Sequence, residues 1–469
     1  EIVDSDLRKD LLSENYEIVD SLVPDMGKAG VISFKDDNVQ KHEHRYEEVL
    51  VVEKSKTEGV NLLAVPFSEI ESVKWDMVQD ISELEEIKEE SNITVEDSEK
   101  EENDVVQVTE STTDKMEPVH LDKKPEVVRV LIGRVKYKHD IYWEFGNKAL
   151  ANRHLLITGT SGQGKTYSIQ TMLYELARCD ISSVIFDYTE GFMLQQLEPP
   201  FKESLDGKIV QKIVYSTGVP INPFKRHEVD LAGMKILEKE SDVAARLSDI
   251  FSHVYDFGAQ QNAAIFEAAY NGLVKYGDNM NIRKFQQELE EVAEINKAAN
   301  TVISKMTPFF RTVDFTEDPE FDWENILYND EGKVNIIQLT LFSREMQVII
   351  TEMMLWDAWY YTKKFGSKDK PFVVVLDEAQ NLSHTIKSPS AAILTEGRKF
   401  GWSAWFATQS LKILKDDEVV RLLQASFKLY FKPTDDEMTK ISKQIDVTGD
   451  GNWLSVIQGL QKGQCIVVG

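Results

Sequence analysis

Cysteine is scarce: only Cys179 and Cys465 occur in 469 residues. Neither a disulfide framework nor a cysteine-rich metal site can be built from two thiols, and a reducing, cytoplasmic setting is expected. A basic-then-apolar leader is absent, as is any uninterrupted apolar run near the ~20 residues that span a bilayer, so no membrane partner is expected. An initiator methionine is also missing, and we expect a piece of a longer polypeptide. Two histidines, His42 and His44 in KHEHR, have no further ligands beside them and read as solvated surface, not as a metal site. Positive charge is in short supply, with 53 Lys and Arg against 80 Asp and Glu, a net −27. The deficit is uneven. Up to His120 there are 33 acidic and 12 basic residues, whereas from Leu121 onward there are 47 and 41. A polyanion partner is therefore not excluded for the second part of the chain.

The composition divides the chain in three. Residues 1–80 hold strand-like pieces, YEEVLVV and NLLAVPF, and read as the tail of a preceding domain. Residues 81–122 are dominated by acids; up to His120 they contain 14 acidic residues, three lysines and no aromatic. Such a stretch cannot bury enough apolar surface to offset its chain entropy, so we expect a disordered linker, or a single charged helix over Ile81–Glu90. From residue 123 to 469 the texture is that of a packed domain. VVRVLIGRVKYKHDIYWEFG reads as a hairpin, and HLLITG, SSVIFDY, KVNIIQLTL, PFVVVLDE, WSAWFATQ and FKLYFKP read as buried strands. KTYSIQTMLYELARC and a stretch from about Glu345 to Lys364 read as helices. Strands without strict alternation, separated by helices, predict an α/β fold with a central, mostly parallel sheet covered on both faces. A helical insertion is expected over roughly 230–312, between the second and third strands.

The chemistry begins at GTSGQGKT, Gly159 to Thr166, which matches G-x-x-x-x-G-K-[ST] with a buried strand before it and an amphipathic helix after. Gly159, Gly162 and Gly164 let the backbone turn tightly and aim N–H groups inward, and the helix start adds partial positive charge. Lys165 would neutralise β and γ phosphates and the Thr166 hydroxyl would ligate Mg²⁺. The expected contact set for ATP is Gly159, Thr160, Ser161, Gly162, Gln163, Gly164, Lys165, Thr166 and Tyr167. In PFVVVLDEAQNL an apolar run leads into Asp377, placed to hold the Mg²⁺ shell, and Glu378, placed to polarise water for in-line attack. WSAWFATQS ends in Thr408 and Gln409, and Gln409 is a candidate γ-phosphate sensor. Arg398, and less so Lys399, in TEGRKFG are candidates to stabilise transition-state charge on a neighbouring subunit's nucleotide. No N-K-x-D guanine-reading motif is present, and no nuclease constellation of Asp, Glu and Lys stands outside the phosphate site.

The order NRHLLITGTSGQGKT, FDYTEG, INPF, VLDEAQNL, EGRKFG and ATQS resembles the HerA/FtsK superfamily of hexameric DNA-pumping ATPases, over about three quarters of the chain. Within it, GTSGQGKTY and the acidic leader are similar to the motor region of the DptH type, from DNA phosphorothioation-dependent restriction. The resemblance implies a RecA-like core, a hexameric ring of like subunits with ATP at their interfaces, double-stranded DNA in the pore, and other restriction-complex subunits including a separate nuclease. It implies Lys165, Thr166, Asp377, Glu378 and Gln409 in the roles above and Arg398 as the finger. It further matches Asp187 and Glu190 to an acidic second-strand motif that tunes the site, and Asn222 and Pro223 to a structural loop. Two departures stand out: the amino-terminal barrel of HerA-type proteins is not recognisable in residues 1–120, and no strong basic DNA-binding loop is evident. Lys387, Lys225 and Arg226 are weak candidates for backbone contacts. The expected activity is an ATP-driven DNA translocase of a restriction system; the alternatives are a nucleotide-gated assembly ATPase and a P-loop kinase or transferase.

Overall fold

The computed structural model describes residues 128–134, 139–231, 234–316, 318, 321–446 and 451–469, with the backbone of three short strands at 16–17, 28–30 and 53–54. The remaining expectations for residues 1–80, and the acidic linker at 81–122, lie outside the described residues, as do His42 and His44.

The hairpin is β1 (Val130–Arg134) paired antiparallel with β2 (Asp140–Trp143). The core then alternates strand and helix: β3 (Leu155–Thr158), α1 (Lys165–Arg178), β4 (Ser183–Asp187) and β5 (Ile209–Ile213). An excursion follows, made of β6 (Glu228–Leu231), β7 (Met234–Leu237), α2 (Glu240–Tyr255), α3 (Ala259–Tyr276), α4 (Ile282–Ile295) and α5 (Ala298–Thr312). The chain returns through β8 (Val334–Gln338), α6 (Arg344–Phe365), β9 (Phe372–Leu376), α7 (Pro389–Glu396) and β10 (Trp402–Thr408). It finishes with α8 (Asp416–Leu422), β11 (Phe427–Phe431), α9 (Met438–Ile445), α10 (Trp453–Gly459) and β12 (Gln464–Val468).

The sheet runs residues 28–30, β12, β11, β3, β10, β9, β4, β8, β5. Every pairing from β11 to β5 is parallel; β12 lies antiparallel to β11. All residues of β3, β4, β8, β9 and β10 are buried, as strands covered on both faces must be. Alternation then sorts them into two cores. Leu156, Phe186, Val374 and Phe406 face the layer holding α2 to α7, whereas Leu155, Ile157, Ile185, Val373, Val375 and Trp405 face α1, α9 and α10. Each large apolar side chain so buried stabilises the fold by roughly 1.5–3 kcal/mol before chain entropy is counted. A single substitution such as Trp405→Ala would open a void in the second core.

Two expectations need correction. The excursion does not begin helical: residues 228–231 and 234–237 form the antiparallel β6–β7 pair, in which Val229, Leu231, Met234 and Ile236 alternate with polar residues. It also leaves from β5, a strand absent from the sequence reading, and so lies between the third and fourth core strands in chain order. The half-buried edge strand β5 carries Gln211 and Lys212 amid its apolar residues, which disguised it. Among the described residues no helix is long and apolar enough to cross a membrane.

Candidate functional site

Because β3, β10, β9, β4 and β8 are parallel neighbours, their carboxyl ends lie along one edge, and the polar residues that follow each strand are brought together there. After β3 the chain turns through the glycine loop. Gly159 has φ 146° and Gly164 φ 110°, values that L side chains rarely adopt. A Cβ on Gly159 would stand 2.5 Å from the Phe431 Cβ, so only glycine lets the loop pass over β11. That loop is braced from outside itself. The Thr160 N–H and hydroxyl donate to Lys432 O at 3.0 and 3.1 Å, and Gly463 N donates to Gln163 O at 2.9 Å. Ser161 and Gly162 are exposed, and Gln163, Gly164, Lys165, Thr166 and Tyr167 are half-buried, as a lip open to a ligand should be.

Lys165 sits at the first position of α1 and its Nζ donates to Gly159 O (2.6 Å) and Thr160 O (3.0 Å). Burial lowers its pKa, while Asp377 and Glu378 pull the other way. Placing an ammonium at a helix N-terminus opposes the helix dipole, so the charge at this position makes sense chiefly for an anion. Asp377 follows β9 directly and is buried; that burial, with the Glu378 charge beside it, pushes its carboxyl up to about 7. A divalent cation at this point would remove the penalty by restoring the carboxylate. Glu378 holds a left-handed backbone, φ 50°, a strained setting for a side chain with Cβ and one that points to function. Gln409, at the end of β10, donates through Nε2 to Glu378 Oε1. These are the residues named from the sequence, and the fold gathers them.

The second-strand motif FDYTEG also reaches this edge. Asp187, fully buried at the end of β4, accepts from Gln338 Nε2 (2.7 Å), Phe192 N (3.0 Å) and Thr189 N (3.1 Å), and burial raises its pKa. Glu190 is exposed in the loop beyond. A Cβ on Gly191 would lie 3.5 Å from the Thr166 methyl, so this loop adjoins the start of α1. Gln338, Gln380, Arg344 and His384 were not expected. Gln380 Nε2 donates to Glu378 Oε2, and Arg344 Nη2 stands 3.9 Å from the same oxygen. His384, buried and held neutral with its pKa down at about 4, donates from Nε2 to Ala379 O at 2.8 Å and so ties down the turn after Glu378. Of these only Gln380 lay inside a quoted motif; Gln338 and Arg344 are joined to the site through the sheet, and His384 through the fold-back of the chain that follows Glu378.

Arg398 is not brought to this edge. It lies in the Gly397–Phe400 turn that feeds the amino end of β10, on the opposite side of the parallel sheet from Lys165. It cannot serve the phosphate loop of its own chain. Lys399 beside it is exposed and faces Glu396 at 3.8 Å. Asn222 is structural: its side chain donates to Met280 O (3.2 Å) and accepts from Phe224 N (3.0 Å). Arg226 is paired with Glu240 at 2.6 Å and Lys387 with Asp249 at 3.2 Å, while Lys225 is exposed.

The glycine cradle, the ammonium, the hydroxyl of Thr166 and the Asp377 carboxylate form a donor set suited to a nucleoside triphosphate with one hard divalent cation. Residues 130–358 match the family model described as the central domain of helicase HerA. The DNA double-strand break repair helicase HerA of Sulfurisphaera tokodaii is 23% identical over 339 residues, which cover 68% of this chain and 62% of that protein. The matched stretch thus spans less than two thirds of its relative's length. Among solved structures, VirB4 of Thermoanaerobacter pseudethanolicus shares the fold with a TM-score of 0.54 at 14% identity, over 72% of this chain and 95% of that one. Residues 130–358 of this chain are thus similar to the central domain of helicase HerA, and the α/β core of the chain shares its fold with VirB4.

Proposed function

We propose that the chain is an ATP-hydrolysing DNA translocase, working as a hexameric ring of like subunits with double-stranded DNA in its pore. The observation that carries the hydrolytic half is the Glu378–Gln409 contact beside Lys165 and Asp377. A carboxylate and an amide side by side at the γ-phosphate position can hold a water between them, which a kinase would exclude in favour of its acceptor. Glu378 takes a proton as the water oxygen attacks phosphorus in line; the bond to the β-phosphate oxygen breaks, and ADP and phosphate leave. Lys165 neutralises charge on the β and γ oxygens. Thr166 and Asp377 would hold Mg²⁺, which when bound screens those same oxygens. The DNA half is supported by the match to the HerA central domain and by the DNA repair helicase among the relatives.

A finer placement, as the motor of a DptH-type restriction system acting with other subunits and a separate nuclease, is supported by the acidic leader and by GTSGQGKTY. The test is steady-state ATP hydrolysis with and without long duplex DNA, with Glu378→Gln as control. Several-fold stimulation that vanishes in the variant is the expected result. Hydrolysis that depends on Glu378 but ignores DNA would instead favour an assembly ATPase that switches partner binding.

A further inference from the structure

Glu378 is aimed by its backbone before it is aimed by any side chain. Its φ of 50° lies in the left-handed region, which a residue with a Cβ keeps only where its surroundings over-determine it. The Ala379–Asn381 turn supplies part of that hold from within. Asn381 N and Nδ2 both donate to Glu378 O, at 3.0 and 2.9 Å, and Leu382 N donates to Ala379 O at 3.1 Å. These bonds close the turn on itself and do not tie it to the rest of the molecule.

A tie from outside comes from His384. Its ring is wholly buried, and Nε2 lies 2.8 Å from Ala379 O. A carbonyl oxygen only accepts, so Nε2 carries the proton and Nδ1, 2.8 Å from Ser390 Oγ, is left to accept. The ring also meets Phe406 of β10 edge-on at 5.8 Å. The main chain of the same residue is held by α8, the helix that follows β10: His384 N donates to Glu418 Oε1 at 3.3 Å, and Arg421 Nη1 donates to His384 O at 2.9 Å. One residue thus joins the turn after Glu378 to the strand that leads to Gln409 and to the helix beyond it.

We infer that His384 is a positioning residue for hydrolysis: by holding Ala379 O against β10 and α8 it fixes the left-handed turn at Glu378, and with it the spacing between the Glu378 carboxylate and the Gln409 amide. The inference rests on the ATPase reading above and adds to it a residue that acts through another's main chain, not on the nucleotide. A small displacement of a positioned base is enough to slow a reaction that depends on in-line geometry. Loss of the bond to Ala379 O therefore lowers turnover and spares the affinity for ATP, which belongs to the glycine loop and Lys165.

The experiment measures steady-state ATP hydrolysis by wild type, His384→Gln and His384→Asn over a range of ATP concentrations, with a thermal melt and the affinity for a non-hydrolysable ATP analogue for each. Glutamine carries its amide near the place of Nε2 and can still donate to Ala379 O; asparagine carries its amide near the place of Nδ1 and falls short. His384→Asn should lose roughly ten- to a hundredfold in kcat while KM and analogue affinity stay within about twofold, and His384→Gln should recover most of kcat. Where asparagine unfolds the chain, His384→Phe, which keeps a ring against Phe406 and loses both nitrogens, takes its place with the same expectation. Equal kcat in the glutamine variant and its counterpart overturns the positioning role, as does a fall in kcat matched by a loss of analogue affinity. A wild type that hydrolyses no ATP removes the hydrolytic reading and the role of His384 with it, whereas an active wild type beside an unimpaired His384→Asn removes the role alone.

Discussion

The two edges of the same sheet make opposite use of charge. Along the carboxyl edge stand Asp187, Asp377 and Glu378 with Lys165 among them, and burial raises the pKa of both aspartates. At the amino edge the turns before β3, β9 and β10 carry Arg153, Lys368 and Arg398. Arg153 is buried, donating to Phe145 O at 2.7 Å and to Lys368 O at 3.5 Å, and burial, helped by the Arg398 charge, lowers its pKa. The acidic edge offers a cation-bearing ligand what it needs, and the basic edge offers an anion what it needs. One chain cannot bring the two edges together, since they are the two ends of its own strands. In the proposed ring a heterologous, head-to-tail neighbour can do so, because such contacts set unlike surfaces against each other.

The sharpest way to break the comparison is to disable the carboxyl edge. Lys165→Ala removes the cation proposed to neutralise the phosphates, and ATP hydrolysis should fall by at least about a hundredfold. Measured by phosphate release, a variant that keeps more than a tenth of the wild-type rate would remove Lys165 from the role given to it. The amino edge comes second. Arg398→Ala should cost on the order of a hundredfold as well, a low figure for a finger supplied by a neighbour, while leaving nucleotide binding to the unassembled chain unchanged. Mixing Lys165→Ala with Arg398→Ala chains should restore part of the activity, since some interfaces then pair an intact loop with an intact arginine. Two inactive variants that stay inactive when mixed would place Arg398 elsewhere.

The same contrast explains what could be read from the sequence. Lys165, Thr166, Asp377 and Glu378 were legible because each sits within a few residues of the strand that presents it, so the motif and its geometry coincide. Gln409 was legible for the same reason at the tip of β10. Arg344, Gln338 and His384 were not. They reach the site only because β8 lies two strands from β9 and because the chain after Glu378 folds back on Phe406, the ring of His384 meeting it edge-on at 5.8 Å. Parallel order is a long-range property, and no local pattern encodes which strand ends become neighbours. The β6–β7 pair was lost differently: its four apolar positions alternate, but α2 and α3 behind it carry a strong helical period that absorbed the boundary.

The smallest expected effect concerns what the acidic edge costs in stability. Glu352, on α6, is wholly buried; its carboxyl accepts from Ser383 N at 2.7 Å, yet burial pushes its pKa from 4.5 to about 8. The native chain thus keeps a proton there that the unfolded chain gives up near the ordinary carboxylate value. Across the window from about 4.5 to about 8 the native state binds more protons at this position, so stability contributed by Glu352 falls as pH rises. Below that window both states are protonated and nothing is lost. Glu352→Gln, which copies the neutral acid and keeps an oxygen for Ser383 N, should leave the melting temperature at pH 5 nearly unchanged and raise it by a few degrees at pH 8. Equal melting curves at pH 8 would mean that the carboxyl titrates where an ordinary glutamate does. Neutral glutamine there also separates stability from turnover: if the acid serves only to hold Ser383 and the segment leading to His384, the variant hydrolyses ATP at the wild-type rate.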